Sequence, residues 1–430
     1  MNRLFLPFLL FLLTFTSAWA QETSDSIIKR QLQQYGIDFT SDNSVTLLFS
    51  GQEKFDDMFT AIRQARRSIH LEYFNFRNDS IASMLFDLLR QKRQEGVQVR
   101  ALFDGFGNDS NNQPLRRYHV EALRNDSVEI YEFDPIRFPW VNHLWPRDHR
   151  KIVVIDDRVA YTGGMNVADY YIKGTEQVGA WRDMHCRIEG SAVSHLQRIF
   201  ISAWHKVTGE ELVATPPTVR DTTALEGLKP DTCSTAGRKL VGIVNREPGT
   251  KRTADGRLLG KNNAMRYFYI NAIDDAQDSI RIINPYFTLI PSVTKALKRA
   301  LRRGVKVELM ISAKSDIPLT PDCAFYNMHR MMKHGATVWL YQPGFHHSKI
   351  MTVDGRFCTV GSTNLDARSL RFDYEENAVI IDRPTTLQLD QMFDRDKQQS
   401  IRLTPQTWNE FRTCWQKFRG WFAHLLQPFL

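Results

Sequence analysis

Four side chains draw attention by type and spacing. His149 and Lys151 occur in "HRKIVVIDD", and His347 and Lys349 occur in "HSKIMTVDG". Each His stands two positions before its Lys and seven before an acid, Asp156 or Asp354. The segments that follow, "TGGMN" and "VGSTN", end in Asn166 and Asn364. Two imidazoles can supply a nucleophile and an acid near neutral pH. Two ammonium groups and two amides supply positive charge and donors for an anion. This set suits cleavage of a phosphodiester. One His attacks phosphorus, the other protonates the leaving oxygen, and a phosphohistidine passes its group to an acceptor hydroxyl. The lysines carry the charge that a metal would supply, so no metal and no cofactor is expected. Neither copy alone holds both a nucleophile and an acid.

The elements must bring the copies together. On a strand, residues two apart share a face, which puts His149 beside Lys151 and His347 beside Lys349. "DDR" and "DGR" then read as hairpin turns. Counting back from the turns sets Asn166 level with His149 and Asn364 level with His347. Gly163, Gly164 and Gly361, with the small Ser362, are expected to allow close backbone approach to a ligand. At the residue level Asp156 and Asp354 read as turn supports at the far end.

The same order recurs upstream. "RRSIHLEYFNF" answers "QDSIRIINPYF", and "RQEGVQVRALFD" answers "LRRGVKVELMIS". Between them "SIASMLFDLLRQKRQEG" and "PSVTKALKRALRRG" have helical periodicity and a closing Gly. Strand, helix, strand predicts parallel βαβ units. The chain is therefore read as α/β: two pseudo-symmetric domains, each a mixed sheet flanked by helices, sharing one active site. Residues 40–212 form the first, 213–237 a linker, 238–400 the second and 401–430 an amphipathic tail.

The 430 residues are 42% hydrophobic and 24% charged, an ordinary globular balance with room for two cores. The net charge of +8 favours anionic partners without choosing among them. Residues 1–20 are apolar and end in "SAWA", which reads as a signal peptide or an N-terminal anchor. Either reading places the body outside the cytoplasm. The five cysteines are scattered and contain no C-x-x-C pair, so neither a disulfide framework nor a zinc site is indicated.

The doubled H-x-K-x-x-x-x-D pattern resembles the phospholipase D superfamily. His149, Lys151 and Asp156 match it, as do His347, Lys349 and Asp354, and the resemblance groups all six as catalytic. Asn166 and Asn364 match its trailing Asn. "IHLEYFNFRND", "AWRDMHCRIEG", "YQPGFHHSKIMTVDG" and "GSTNLDARSLRFDYEEN" are most similar to bacterial cardiolipin synthases. The resemblance implies transfer of a phosphatidyl group, with phosphatidylglycerol as donor and acceptor and glycerol released. It implies that Asp183 faces His347 and Glu375 faces His149, with Glu376 a competitor. It also makes His149 the nucleophile and His347 the acid, a choice the symmetric motifs leave open. A membrane-associated, periplasmic setting is expected, with anionic phospholipid as partner and no nucleic acid. Hydrolysis to phosphatidic acid, and an exported nuclease, are the alternatives.

Other residues read as supports. His346 faces away from His347, and His185 suits a core or supporting role. His143 lacks the further ligands that a metal pair with His149 would need. The aromatic approach "FPWVNHLWPRD" could dip into lipid or pack as a loop. The tail carries Trp415, Phe418, Trp421, Phe422, Leu425 and Leu426 beside Lys417 and Arg419, which suits a membrane surface.

Overall fold

The computed structural model describes residues 27–136, 146–213, 238–252, 258–261, 263–316 and 320–425. Residues 1–20, expected to be a signal peptide or anchor, most of the aromatic approach with His143, nearly all of the expected linker and Leu426 lie outside the described residues.

In the first half the main strands are β1 (Phe39–Leu48), β2 (Ser68–Tyr73), β3 (Gln98–Asp104), β4 (Glu129–Phe133), β5 (Lys151–Ile155), β6 (Val159–Gly163) and β7 (His185–Glu189). In the second they are β8 (Lys239–Arg246), β9 (Ser279–Ile283), β10 (Lys306–Ser312), β11 (Thr337–Tyr341), β12 (Ile350–Val353), β13 (Phe357–Gly361) and β14 (Glu375–Ile381). With the edge strand β15 (Ser400–Arg402) they form one 15-stranded sheet. Its order is β4-β3-β2-β5-β6-β7-β1, then β8-β14-β13-β12-β9-β10-β11-β15. The two arms mirror each other about an antiparallel β1–β8 seam. Strands β2, β3 and β4 run parallel, as do β9, β10 and β11; the inner hairpins are antiparallel.

Local sequence explains these elements. The helix Ser80–Gln94 buries Ile81, Leu85, Leu88 and Leu89 on one face, and Asp79 caps it by accepting the Ala82 amide at 3.2 Å. Gly96 and Gly304 end the paired helices with φ of 88° and 90°, which L side chains rarely adopt. The hairpin turns hold Asp156 and Asp157 at φ 53° and 56°, and Asp354 and Gly355 at 54° and 60°. Two positive φ values in succession suit the tight turn whose twist matches paired strands.

Each half has its own apolar core against its outer helices. A third core is shared. It joins Ile152, Val154 and Ile188 to Ile243, Ile350 and Val360. The arms are thus welded, and the site between them is held by packing from both sides. One element crosses the boundary suggested by sequence. The helix at 27–34, which precedes the first half, packs Ile28 and Leu32 into the core of the second.

Candidate active site

The site forms where the halves meet. Lys151 opens β5, and Lys349 stands just before β12. The histidines therefore precede the hairpin strands instead of lying within them, which corrects the simple strand picture. Two parallel pairings between halves place them. Asp148 pairs with Tyr374, so the next residues, His149 and Glu375, come side by side. Arg182 pairs with His346, so Asp183 and His347 follow side by side. The His149 amide donates to Tyr374 O at 3.0 Å, and the His347 amide donates to Arg182 O at 2.6 Å.

Each histidine meets an acid from the other half. His149 Nδ1 lies 3.0 and 3.2 Å from the Glu375 oxygens, and His347 Nδ1 lies 2.7 Å from Asp183 Oδ2. Such a bond orients the ring and leaves Nε2 for chemistry. Lys349 Nζ lies 2.9 Å from His347 Nε2 and donates to His347 O at 2.7 Å. Lys151 Nζ donates to the His149 carbonyl. The Ser362 hydroxyl donates to Glu375 and supports it. Glu376 instead accepts from Thr162 Oγ1 at 2.7 Å and from the Lys151 amide at 3.2 Å. Of the two glutamates, Glu375 meets the imidazole. Asn166 and Asn364 are buried, and each keeps an Oδ1 with no protein partner.

The motif acids are elsewhere. Asp156 accepts the amides of Arg66, Arg67 and Ser68 at 2.8, 2.7 and 2.9 Å. Asp354 accepts those of Gln277, Asp278 and Ser279 at 2.9, 2.8 and 2.8 Å. Each ties its hairpin to the strand entering from behind. Grouping them with His and Lys as catalytic is therefore corrected: a carboxylate spent on three amides at the far turn does not reach the reacting atoms. The glycines also differ from expectation. A Cβ on Gly164 would strike the Asp183 carboxylate, and one on Gly361 would strike Asn377. They make room for protein groups, not for a ligand. His346 binds Asp396 at 3.0 Å, and His185 is buried against the Met165 amide.

The chain matches the family described as "Cardiolipin synthase, PLD-like domain" over residues 58–204 and 269–397, which contain both motifs. It belongs to this family. A probable cardiolipin synthase of Bacillus subtilis (strain 168) is 33% identical over 369 residues, covering 84% of this chain and 68% of the relative. A cardiolipin synthase of Oceanobacillus iheyensis is 32% identical over 392 residues, covering 91% of this chain and 76% of that one. The crystal structure of phosphatidylserine synthase from Haemophilus influenzae superposes with a TM-score of 0.67 at 16% identity, covering 94% of this chain and 99% of that one. That likeness concerns the fold.

In this cardiolipin synthase family member the site is buried and crowded with charge. Burial, then Lys151, Lys349 and Arg368, hold the His149 imidazolium well below its usual range. Burial and Lys349 bring His347 down to about 4, against the pull of Asp183. Burial lowers Lys349 to about 7, opposed by Asp183, and raises Glu375 to about 7, opposed by Lys151. Both rings are thus neutral in the empty site at neutral pH. A bound anion would offset the lysine charge and favour a proton on either ring.

Several residues at the site carry no motif signal. Lys54 is fully buried and donates to Asn166 O at 3.0 Å, fixing that segment's backbone. Phe74 stands edge-on to His149 at 5.1 Å. Trp181, Tyr286 and Phe345 surround His347. Phe74 and Tyr286 fall within the paired segments "RRSIHLEYFNF" and "QDSIRIINPYF", so the repeat itself is the signal that marks them.

Proposed function

We propose that the protein is a phosphatidyltransferase of the cardiolipin synthase type, using phosphatidylglycerol as donor and acceptor. The observation that carries this is the crossed pair of imidazoles, each oriented at Nδ1 by an acid of the opposite half. His149 Nε2 attacks phosphorus in line with the glycerol oxygen. The N–P bond forms, the P–O bond breaks, and His347 Nε2 gives its proton to the departing oxygen. Lys151, Lys349, Asn166 and Asn364 hold the phosphoryl oxygens as charge develops. A second phosphatidylglycerol then gives its hydroxyl proton to His347 as its oxygen displaces His149. Cardiolipin and the resting site result. Glu375 and Asp183 are positioning residues for the rings.

We place this activity in an exported, membrane-facing setting, because the proposed substrate is an anionic lipid and residues 1–20 read as a signal peptide or anchor. The test is product analysis with labelled phosphatidylglycerol in mixed micelles. Cardiolipin and glycerol are expected, and both are lost in His149→Ala and in His347→Ala. Phosphatidic acid alone would assign a hydrolase. No lipid turnover by the wild type would overturn phosphatidyl transfer altogether.

A further inference from the structure

The two sides of the site are unlike, although the halves are repeats. Four residues after Asn364 stands Arg368, and four after Asn166 stands Tyr170. Arg368 acts on His149, pairs with Asp373 at 3.2 Å and lies over the Phe106 ring. The loops beyond β3 and β10 differ in the same way. Four residues past the end of β3 is Asn108, buried and consumed by the Leu115 backbone at 2.9 and 3.1 Å. Four past the end of β10 is Asp316, which is half-buried and faces the site.

The surroundings of Asp316 are built. Tyr286 Oη donates to its two oxygens at 2.8 and 2.9 Å. The Tyr286 ring stands edge-on to His347, with centroids 6.1 Å apart. Trp181 lies 5.4 Å from His347 and packs on Tyr170 at 4.4 Å. The Trp181 indole N–H is buried and has no partner in the protein. Gln177 reaches across from the first half to the backbone oxygens of Ser315 and Asp316, at 3.3 and 3.4 Å. Each side has its motif lysine. Beyond it, the His149 side adds the Arg368 cation, whereas the His347 side adds a carboxylate, aromatic rings and an unused donor.

We propose that Asp316, Tyr286 and Trp181 form a subsite beside His347 for a small neutral polyol, the glycerol head of the donor and then of the acceptor. This rests on the phosphatidyltransfer reading and adds a headgroup selector to it. In-line attack by His149 sends the leaving oxygen to the opposite side, which is that of His347. A carboxylate there accepts hydrogen bonds from the hydroxyls of a polyol. Ring faces pack on the C–H edge of a polyol, and the free indole N–H can donate to a hydroxyl oxygen. Water satisfies few of these groups, so the subsite favours a polyol acceptor over hydrolysis.

The bond changes are balanced and identical in the two half-reactions, run in opposite directions. Glycerol leaves with the His347 proton, and the acceptor hydroxyl returns one to His347. The same subsite therefore serves both. It must also accept free glycerol, exchanging labelled glycerol into phosphatidylglycerol with no net chemistry.

The test uses the full chain in mixed micelles, with phosphatidylglycerol and with a phosphatidyl nitrophenyl ester whose leaving group needs neither polyol contacts nor an acid. In Asp316→Asn the cardiolipin to phosphatidic acid ratio is expected to fall about tenfold or more. The KM for glycerol in exchange should rise by a similar factor. The loss on phosphatidylglycerol should exceed the loss on the nitrophenyl ester by about tenfold. Tyr286→Phe, which keeps the ring and removes the clamp on Asp316, should move the ratio the same way by a smaller factor. An unchanged ratio in both variants, or equal losses on both esters, would overturn the subsite while leaving phosphatidyl transfer in place. A wild type inert toward both esters would instead overturn phosphatidyl transfer.

Discussion

Lys349 acts on His347 in two opposing ways. After burial, its ammonium is the main cause of the low imidazole value of about 4, so in the empty site it keeps His347 unprotonated. With a phosphodiester bound, the same ammonium faces a phosphoryl oxygen, and the anion restores the proton that the acid role needs. Lys349→Met separates the two effects. The His347 titration midpoint should rise, because a cation that disfavoured imidazolium is gone. Turnover should fall about 10²–10³-fold, because a donor to the developing charge is gone as well. Histidine-labelled NMR titration reads the first and steady-state kinetics the second. A midpoint that falls would remove the electrostatic account. Adding inorganic phosphate to the wild type should also move the midpoint upward. The sign follows for stability. A histidine depressed on folding takes up more protons in the unfolded chain between about pH 4 and its ordinary range near 6.5. That contribution to stability is lost as pH falls through this window.

At the scale of elements, the motif divides its residues between chemistry and architecture. Asp156 accepts three amides of the chain entering β2, and Asp354 does the same for β9. Hydrogen bonds to a charged acceptor contribute about 1.5–3 kcal/mol when well made. Asp156→Ala should therefore destabilise by about 2–3 kcal/mol, since solvent replaces part of the loss at this exposed turn. Urea unfolding measures this, and activity per folded molecule should stay within a few-fold. A large fall in kcat at unchanged stability would return Asp156 to the catalytic set. Much of this level is legible in sequence, because the hairpins, paired helices and their glycine ends follow local periodicity and turn chemistry. The parallel pairings that bring Glu375 to His149 and Asp183 to His347 are not local. They join segments from opposite halves, and only the resemblance anticipated their partners. The packing of the helix at 27–34 on the distant half is hidden for the same reason. The glycines at 163, 164 and 361 show in sequence only that space is needed; the structure fills it with His185, Asp183 and Asn377.

For the whole molecule, the remaining question is how a buried site meets a lipid. Among the described residues no helix is long and apolar enough to cross a membrane. The last helix, Cys414–Leu425, is held from one side: Arg412 and Arg419 pair with Asp322, and His424 packs on Tyr326. Among the described residues its other side is exposed. Trp415 is 63% exposed, Phe418 51%, Trp421 45% and Phe422 52%; Trp415 stacks on Phe418, which leans tilted against Trp421. Aromatic rings on a fixed helix beside basic residues suit the headgroup region of a bilayer. Arg330 and Lys333 on the supporting helix Thr320–Lys333, Lys298 and Arg302 beside it, and Lys417 on the helix itself supply the charge for anionic lipid. That supporting helix packs Phe325, Met328 and Met331 into the core of the second half, so the aromatic face belongs to the half that contributes His347. We propose that this face rests on the membrane that holds the substrate. Each ring entering the interface contributes on the order of 1 kcal/mol. Replacing Trp415, Phe418 and Trp421 together with Ala should therefore weaken binding to phosphatidylglycerol-containing vesicles about 100-fold. High salt should weaken the wild type as well, through the basic flank. Vesicle sedimentation reads both effects, and turnover of vesicle lipid should fall more than turnover of a monomeric short-chain lipid. Vesicle binding that is unchanged in the triple variant would leave the face without this role. A wild-type dimer that the triple variant dissolves would assign the face to a second copy of the chain instead.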